Sequence, residues 1–417
     1  MTVVEFFDGV SINNMVSCLA IKPDKIIFIG KSEMMKDQEE VYRRFIAKHK
    51  MQVAFEFKSA NIYNLEELVD KLTAIVEAED ECTFDLTGGD DIILVAMGIV
   101  YERYRGTKKV QMHRFNVNSG SSTDVDKDGI APPSKAPNLT VEENIAIYGG
   151  AIVPYDGNKG TYKWEIDNEF EADVRTLWEI CKKDPTLWNA KSIAMATIAK
   201  LKDENQPKTF ANADAAKVKR VFSTDKIKLS QFKEFLFCLE KKKLIKQLSF
   251  NNGGISFYFK NEKVKRCLIK AGNVLELIVS FSAQNATDKK GKKVYNDIVV
   301  GAFIDWDATL HEKKDKIKDT SNEIDLILMK GMVPVFVSCK NGTVEEEELY
   351  KLNTVAQKFG GPYARRLLVL TTGGNQSESG YEHLIQRAKD MGIKVLEGVH
   401  NFSNKEFEKN MHTILCK

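Results

Sequence analysis

Over the first 150 residues, short apolar runs rich in β-branched and aromatic residues alternate with longer segments of helical periodicity. The clearest helical segment contains Leu68, Leu72 and Val76 on one stripe, and Asn64 with Glu67 gives it a capping-box start. Strands that alternate with helices of this length pair in parallel through right-handed crossovers, so we expect an α/β domain built on a parallel sheet. The runs that predict its strands are residues 2–7, 25–29, 51–57, 82–86 and 109–115.

The segment after the fifth run is rich in Ser, Gly, Asp and Pro, which predicts an exposed excursion. Within it, Asp124, Asp126, Asp128 and Gly129 match the first half of a calcium-binding loop. Lys135 stands where such a loop supplies a bidentate glutamate, and no helical pattern flanks the segment. We therefore do not expect an EF-hand here.

The middle of the chain predicts a connector and then a small unit similar to a winged helix. Thr140 and Glu143 start a short helix, and residues 164–202 show a strand followed by two helices. Residues 230–280 follow the order helix, hairpin and long helix from Glu262. Such a unit either contacts a nucleic-acid backbone or packs between domains, and the lack of an obvious recognition helix in the sequence favours packing.

Two strand-like runs in the last third of the chain flank the dipeptide Gly331-Met332. A glycine at the first central position is typical of a two-residue type II′ hairpin. That turn sets Lys330 opposite Val333 and so fixes the register of the whole pair. The runs are residues 323–330 and 333–340.

This register places Asp325 opposite Ser338, with their Cβ atoms ~5 Å apart. Lys340 lies two residues beyond Ser338 and therefore on the same face. An Asp and a Lys that converge on an apolar sheet form either a structural ion pair or a reactive site. The opposite face is expected to be core, with Ile324, Leu326, Leu328, Val335 and Val337.

The composition is that of an ordinary globular protein, with 417 residues, 61 Lys and Arg against 59 Asp and Glu, and 43% hydrophobic residues. The length predicts two or three domains. No apolar run approaches the ~20 residues that cross a bilayer, and the start MTVVEFFDGV lacks a signal-peptide pattern, so we expect a cytoplasmic protein with no membrane partner. The seven cysteines are scattered singly, which argues against a zinc site and for reduced thiols.

Positive charge is concentrated in residues 201–270, which contain 17 Lys and Arg against 7 Asp and Glu, while the rest of the chain is net acidic. A basic segment suits a polyanion such as nucleic acid. A solvated helix face around residues 241–243 explains the same charge, and composition alone favours that interpretation.

Two loops at predicted carboxyl ends of strands have the chemistry of phosphate contacts: DGVSINN at residues 8–14, and LTGGDD at residues 86–91, which opens a helix. Free N–H groups at a helix start and glycines allow a phosphate to approach closely. A tight turn capped by Asp90 explains the second loop equally well. Since Asp90 and Asp91 repel a triphosphate, a phosphodiester is the better match, and neither a Walker A motif nor GxGxxG is present.

The acidic strand, the following strand that ends in Ser-Cys-Lys and the preceding helix with Glu276 together resemble the PD-(D/E)xK restriction-endonuclease-like core. The resemblance implies that Glu276, Asp325 and the carbonyl oxygen of Cys339 hold Mg²⁺ or Mn²⁺. It also implies that Lys340 orients or activates the attacking water. Ser338 stands where this family usually has Glu or Gln, which removes one carboxylate from the ligand set.

Other features of this core leave alternatives open. Glu276 lies off the main apolar stripe of its helix, so a solvent-facing position is not excluded. Lys351 and Gln357, on the helix predicted over residues 345–359, are further candidates for the same site. A strand over residues 366–371 and a final helix and strand continue the resemblance.

With LTGG in the N-terminal domain and IDLIL and FVSCKN in the C-terminal core, nearly the whole chain resembles the CRISPR-associated Rossmann fold (CARF) nucleases of type III CRISPR systems. The resemblance implies a CARF domain at residues 1–148, a connector at 149–228, a winged-helix-like segment at 229–270 and an α/β/α nuclease domain at 271–417. It further implies a homodimer that binds cyclic oligoadenylate, with cyclic tetra-adenylate the expected ring, and that then cuts DNA, and RNA as a second substrate, without sequence specificity. The residues matching the family's ligand loops are Ser11, Asn13, Thr87, Gly88, Gly89 and Asp90.

Two other hypotheses stay open on the sequence. Ser338 and the winged-helix-like segment suit a ligand-sensing regulator that binds nucleic acid with a decayed nuclease core. Alternatively, the N-terminal domain cleaves its own cyclic ligand by aligning a ribose hydroxyl, although neither loop contains a histidine or a clear general base.

Overall fold

The computed structural model describes residues 1–106, 109–125, 137–200, 206–223, 227–309, 320–342, 344–371 and 378–415. Asp126, Asp128, Gly129 and Lys135 of the incomplete calcium-loop pattern lie outside these ranges. Within the described residues, no helix combines the length and the hydrophobicity needed to cross a bilayer.

The N-terminal domain is built on a six-stranded sheet in the order β3-β2-β1-β4-β5-β6, in which the first five strands are parallel, as predicted. The sixth strand is an antiparallel edge strand in a segment that was expected to be an exposed loop, so that expectation is wrong there. The strands are β1 (Thr2–Phe6), β2 (Lys25–Gly30), β3 (Ala54–Ser59), β4 (Glu81–Asp85), β5 (Lys109–Asn116) and β6 (Ser121–Asp124). The helices are α1 (Ser11–Ile21), α2 (Ser32–Lys48), α3 (Leu65–Ala78) and α4 (Asp91–Tyr104).

The middle of the chain contains helices around a small three-stranded sheet. The elements are α5 (Val141–Ile147), β7 (Ala151–Ile152), α6 (Asn168–Cys181), α7 (Pro185–Ala199), β8 (Phe210–Ala213), α8 (Ala215–Val221), α9 (Leu229–Lys241), β9 (Ile245–Ser249), β10 (Ile255–Phe259) and α10 (Glu262–Ile269). The helix, hairpin and helix of the winged-helix-like segment are present, and β8 adds a strand to the hairpin. Buried Phe232 and Phe257 share one hydrophobic core with Trp188 of α7, so this segment packs against its neighbours.

Two predictions for this region are wrong. No strand forms at Trp164, whose ring instead stacks on Phe170 with an interplanar angle of 10°. The long helix from Glu262 ends at Ile269, and a second helix begins at Gly272.

The C-terminal domain is a six-stranded sheet in the order β15-β14-β13-β12-β11-β7, with helices on both faces. α11 and α14 pack on one face, and α12 and α13 on the other, which confirms the α/β/α expectation. The elements are α11 (Gly272–Asn285), β11 (Asp297–Asp305), β12 (Ser321–Lys330), β13 (Val333–Lys340), α12 (Glu346–Gly360), a 3-10 turn (Gly361–Tyr363), β14 (Arg365–Leu370), α13 (Glu378–Asp390), β15 (Ile393–Leu396), a second 3-10 turn (Val399–Asn401) and α14 (Asn404–Leu415).

One hydrophobic core joins the N-terminal and C-terminal domains. Phe7 and Ile12 of the first domain lie in the same buried cluster as Phe336, Leu352 and Phe359 of the last. The face of the C-terminal sheet that carries α12 is therefore held against the N-terminal domain.

Candidate active site

The β12–β13 hairpin has the register that its turn predicts. Gly331 adopts a φ of +65°, the region a type II′ turn requires at this position, and Lys330 pairs with Val333. Main-chain pairing continues as far as Leu326 and Val337. The next residues toward the site are therefore Asp325 and Ser338.

Beyond Val337, a side chain takes the place of the main-chain ladder. Asp325 Oδ2 accepts a hydrogen bond from the Cys339 N–H at 2.7 Å and another from the Ser338 hydroxyl at 3.3 Å. The far side of β13 meanwhile stays paired with β14 through Ser338 and Lys340. The strands therefore separate at the point where the polar residues lie.

The apolar face is as expected except for one residue. Leu326, Leu328, Val335 and Val337 belong to the core beneath α11. Ile324 instead belongs to the core on the α12 side, so its predicted face is wrong. This change of face occurs next to Asp325, opposite Gly301 of β11, whose φ of +62° interrupts the regular strand geometry.

Glu276 lies on α11 and is 4% exposed, so the solvent-facing alternative is wrong. Every residue of α11 from Asn273 to Ala283 is buried, and such a helix has no solvent face for a glutamate to occupy. Its Oε1 lies against Gly272, where a Cβ would be only 2.7 Å from that oxygen. Gly272 thus provides the space for the carboxylate.

The pKa of each acidic side chain lies above the value of an ordinary carboxyl group. Burial and the Asp325 carboxylate raise the pKa of Glu276 to about 8, against the attraction of Lys270 and Lys340. Burial also raises the pKa of Asp325, although the Cys339 N–H and Lys340 oppose this shift. A cation bound between two such carboxyl groups favours their charged forms.

Three lysines surround the carboxylates. Burial lowers the pKa of Lys340, but its ion pair with Glu348, at 2.8 Å between Nζ and Oε2, outweighs burial and holds the pKa above its usual value. Lys270, at the break between α10 and α11, pairs with Glu323. Lys351 lines a small cavity with Asp325 and Ser338.

Gln357 does not join this group. Its side-chain oxygen accepts a hydrogen bond from Arg366 at 3.2 Å instead. Lys270 and Glu323 were not predicted as site residues from the sequence. The available signal for Lys270 was Gly272, because a glycine there indicates a break between two helices, and Lys270 lies at that break.

The site suits a hard divalent cation with few protein ligands. Among the described residues, no three His, Cys, Asp or Glu side chains converge at metal-ligand spacing. Within that same part of the chain, no group hydrogen-bonds the Glu276 carboxylate. Mg²⁺ and Mn²⁺ are bound by oxygen ligands, and Mg²⁺ keeps several waters beside one or two carboxylates, so Glu276 and Asp325 fit such an ion.

The candidate ligand residues of the N-terminal domain meet at the carboxyl ends of β1 and β4. Ser11 and Asn13 lie in the first turn of α1 and not in a loop, and both are buried. Asp8 joins the two segments: its Oδ2 accepts from Asn13 Nδ2 at 3.1 Å and lies 2.6 Å from where a Cβ on Gly88 would be. The two segments are therefore held close together.

The LTGG segment forms a tight turn that leads into α4. Asp90 caps α4 by accepting the Ile92 N–H at 3.2 Å, and Gly89 adopts a φ of +130°. The Thr87 hydroxyl accepts the Phe115 N–H at 2.8 Å and donates to Asp85. The turn is thus held by hydrogen bonds to β4 and β5 on one side and by the Asp90 cap of α4 on the other.

A buried polar cluster beneath this turn was missed from the sequence. Burial opposes ionisation of Asp85, but His113, Ser17 and Thr87 outweigh it and hold the pKa of this carboxyl below its usual value. Burial and the charge of Asp85 raise the pKa of neighbouring Glu5. Apart from Thr87 in the turn itself, these residues lie on β1, α1, β4 and β5, so only the folded domain brings them together.

Known proteins resemble this chain in fold but not in sequence. Neither a protein-family model nor a curated protein sequence matches it. The crystal structure of protein VC1899 from Vibrio cholerae superposes with a TM-score of 0.73 at 16% identity, covering 100% of this chain and 98% of that one. Can2 from Sulfobacillus thermosulfidooxidans, in complex with cyclic tetra-adenylate, gives 0.65 at 15% identity, covering 100% and 97%.

A third structure is that of a type III CRISPR defence DNA nuclease activated by cyclic oligoadenylate, with a TM-score of 0.51 at 12% identity. It matches 91% of this chain, which spans 47% of that longer protein. From end to end, the chain therefore has the fold of VC1899 and Can2, and its resemblance to the CARF nucleases is confirmed at the level of the fold.

Proposed function

We propose that this chain is a metal-dependent nuclease that is activated by cyclic oligoadenylate and acts in type III CRISPR defence. The observation that carries the proposal is the convergence of Glu276, Asp325 and Lys340 where β12 and β13 separate. A buried carboxylate pair with a neighbouring ammonium is costly to fold and has an evident use in hydrolysing a phosphodiester.

In this proposal Glu276, Asp325 and the Cys339 carbonyl oxygen hold Mg²⁺ or Mn²⁺, which when bound activates water and offsets charge on the phosphate. Lys340 is held in its charged form by Glu348. A charged ammonium cannot take a proton from water, so its role is to orient the water or stabilise the developing negative charge. Ser338 contributes by fixing Asp325 Oδ2.

The proposed activator site is the pair of segments at Ser11–Asn13 and Thr87–Asp90. The α4 N-terminus and the Gly88-Gly89 backbone suit a phosphodiester, which carries one charge per phosphate. Can2, which shares this fold, is in complex with cyclic tetra-adenylate, and this supports the same ring as the ligand here. A ring with repeated identical units suits a site made by two copies of the domain, so we propose a homodimer.

The direct test is cleavage of supercoiled DNA, single-stranded DNA and single-stranded RNA with Mn²⁺, with and without cyclic tetra-adenylate. Asp325→Asn is the informative variant, because the new amide oxygen still accepts the Cys339 N–H while the charge is lost. We expect ligand-dependent cutting by the wild type and a loss of at least about a hundredfold in the variant. Equal cutting by both proteins would refute the assignment.

The same experiment evaluates the regulator hypothesis, which the serine at position 338 and the two-carboxylate ligand set favour. Ligand-dependent DNA binding with no product in Mg²⁺ or Mn²⁺ would support a regulator and reject the nuclease. Chromatography of the ligand after incubation detects ring opening by the N-terminal domain as a separate activity.

A further inference from the structure

The small cavity that Asp325 and Ser338 share with Lys351 contains a further carboxylate. Its volume is about 10 Å³, close to the minimum for one water molecule. Asp325 and Ser338 line it from β12 and β13, and Glu348 and Lys351 line it from α12. The cavity therefore brings a glutamate of the helix next to the aspartate of the candidate active site.

Glu348 is the acidic residue of the first turn of α12 that faces the sheet. Its side chain is 31% exposed, whereas Glu346 and Glu347 in the same turn are exposed. Its Oε2 pairs with Lys340 Nζ at 2.8 Å, and no other described side chain pairs with this carboxylate. An ionised carboxylate has about four acceptor positions, so Glu348 can accept from a water molecule while it holds Lys340.

The β13 side of the active site lacks a carboxylate of its own. Ser338 occupies the position, and its hydroxyl donates to Asp325 Oδ2 at 3.3 Å. A neutral hydroxyl that is used in this way contributes no negative charge to a cation. Since Glu348 lies on the same cavity as Ser338, α12 provides the charge that β13 does not.

The balance of charges around Asp325 shows why this additional carboxylate matters. Three lysines lie close enough to lower the pKa of Asp325, and they are Lys270, Lys340 and Lys351. Without Glu348, they would face the same number of carboxylates, those of Glu276, Glu323 and Asp325. Such a set would already be neutral in its charged form, and a divalent cation is held by an excess of negative charge. Glu348 provides that excess.

We propose that Glu348 supplies the carboxylate that position 338 lacks, and that it helps to hold the divalent cation of the candidate active site. Within the described part of the chain, no three acidic side chains converge at metal-ligand spacing, so Glu348 acts through a water of the ion's hydration shell. The inference rests on the proposed nuclease function and adds a residue of α12 to its metal site.

The test measures Mn²⁺ binding itself, from the electron paramagnetic resonance signal of the free ion. We expect Glu348→Gln to bind Mn²⁺ about 10–100-fold more weakly than the wild type, the usual effect of losing a partner beyond the direct ligands. Glu347→Gln is the matched control, because it removes an exposed carboxylate from the same turn of α12, and its affinity should be unchanged. Ligand-activated cleavage by Glu348→Gln should increase as the Mn²⁺ concentration is raised.

A second pair of variants moves the carboxylate from the helix to the strand. Glu348→Ala removes it and leaves space, and adding Ser338→Glu places a carboxylate on β13. The double variant should bind Mn²⁺ at least about tenfold more tightly than Glu348→Ala alone. Thermal unfolding without metal checks that each protein is folded, and if the double variant does not fold, the affinity of Glu348→Gln decides the question.

An unchanged Mn²⁺ affinity in Glu348→Gln would overturn the inference and leave the ion pair with Lys340 as the role of Glu348. Cleavage by Glu348→Gln without cyclic tetra-adenylate would also overturn it, because this result would identify Glu348 as a counter-ion that restrains Lys340.

Failure of the proposed function is distinguishable from failure of this assignment. If Mn²⁺ binding depends on Glu348 but the wild type cuts nothing, the metal site stands and the nuclease assignment fails. If the wild type cuts and Glu348→Gln binds Mn²⁺ normally, the nuclease stands and the role of Glu348 is wrong.

Discussion

Replacing Glu276 by glutamine should change how the stability of the metal-free protein depends on pH. The folded pKa of about 8 lies above the value of 4.5 for an ordinary glutamate, because of burial and the charge of Asp325. Below pH 4.5 the Glu276 carboxyl is protonated in both the folded and the unfolded state, so its ionisation does not lower the free energy of unfolding. As the pH rises from 4.5 to 8, the unfolded chain releases the proton first, so the folded state loses stability over this range.

The size of the effect follows from the shift. At 1.36 kcal/mol per pKa unit, the carboxyl destabilises the fold by on the order of 1 kcal/mol at pH 5 and 3 kcal/mol at pH 7. No discount for solvent screening applies, since Glu276 is 4% exposed. Glutamine adds a cost for a buried amide of about 1–3 kcal/mol, but that cost is the same at every pH. The informative quantity is therefore the difference between the two pH profiles.

The assay is thermal unfolding followed by tryptophan fluorescence, in EDTA, from pH 5 to pH 8. At about 1 °C per kcal/mol for a chain of 417 residues, the Tm of the wild type should fall relative to Glu276→Gln by about 2–3 °C between pH 5 and pH 7. Added Mn²⁺ at pH 7 should raise the wild-type Tm and leave the variant unchanged. Glu262→Gln, which removes an exposed carboxylate from adjacent α10, is the control and should parallel the wild type. Parallel profiles for Glu276→Gln would refute the electrostatic reasoning.

Three further changes test the N-terminal site and its contact with the C-terminal domain. Gly88→Ala puts a Cβ 2.6 Å from Asp8 Oδ2, so the Asp8 side chain that holds the two ligand segments together must shift. Titration calorimetry should then show at least tenfold weaker binding of cyclic tetra-adenylate; unchanged affinity would argue against this site. Tyr363→Phe removes the 2.9 Å hydrogen bond that occupies Asn13 Oδ1, and the same titration should show binding up to about tenfold tighter, whereas no change would exclude Asn13 from the ligand contacts. Asn144→Ala leaves the Phe359 carbonyl without its buried 2.7 Å donor and should lower stability by about 1–3 kcal/mol, measured as a fall in Tm; an unchanged Tm would contradict the importance of this contact.

The part of the site that could be predicted depends on local rules. Gly331 fixes a two-residue turn, and the alternation of side chains along a strand then places Asp325 opposite Ser338 with Lys340 on the same face. The parallel N-terminal sheet follows in the same way from the alternation of strands and helices. Neither inference requires knowledge of what packs against these elements.

The remaining features depend on contacts between distant segments. Glu276 is buried because the sheet, α6 and α14 surround α11, and helical periodicity cannot show that a helix is covered on all sides. The alternation of Tyr162, Trp164 and Ile166 is typical of a strand, but these three residues instead line a groove along β11, and Tyr162 and Trp164 also line the smaller cavity beside Glu276. Tyr363 and Asn13 are 350 residues apart, and no local pattern indicates that they meet.

Helix α12 and the 3-10 turn that follows it connect the two proposed sites, so their contacts limit how strongly one site can affect the other. Near its start Glu348 pairs with Lys340, and after its end Tyr363 donates to Asn13 Oδ1. The helix is 15 residues long, or ~22 Å at 1.5 Å per residue. One hydrogen bond contributes about 0.5–1.5 kcal/mol, which limits the Tyr363 contact to roughly a tenfold effect. Activation much larger than tenfold must therefore also use the buried packing at the end of α12, where Phe359 departs from helical geometry and its carbonyl accepts Asn144, or the second subunit of the proposed dimer.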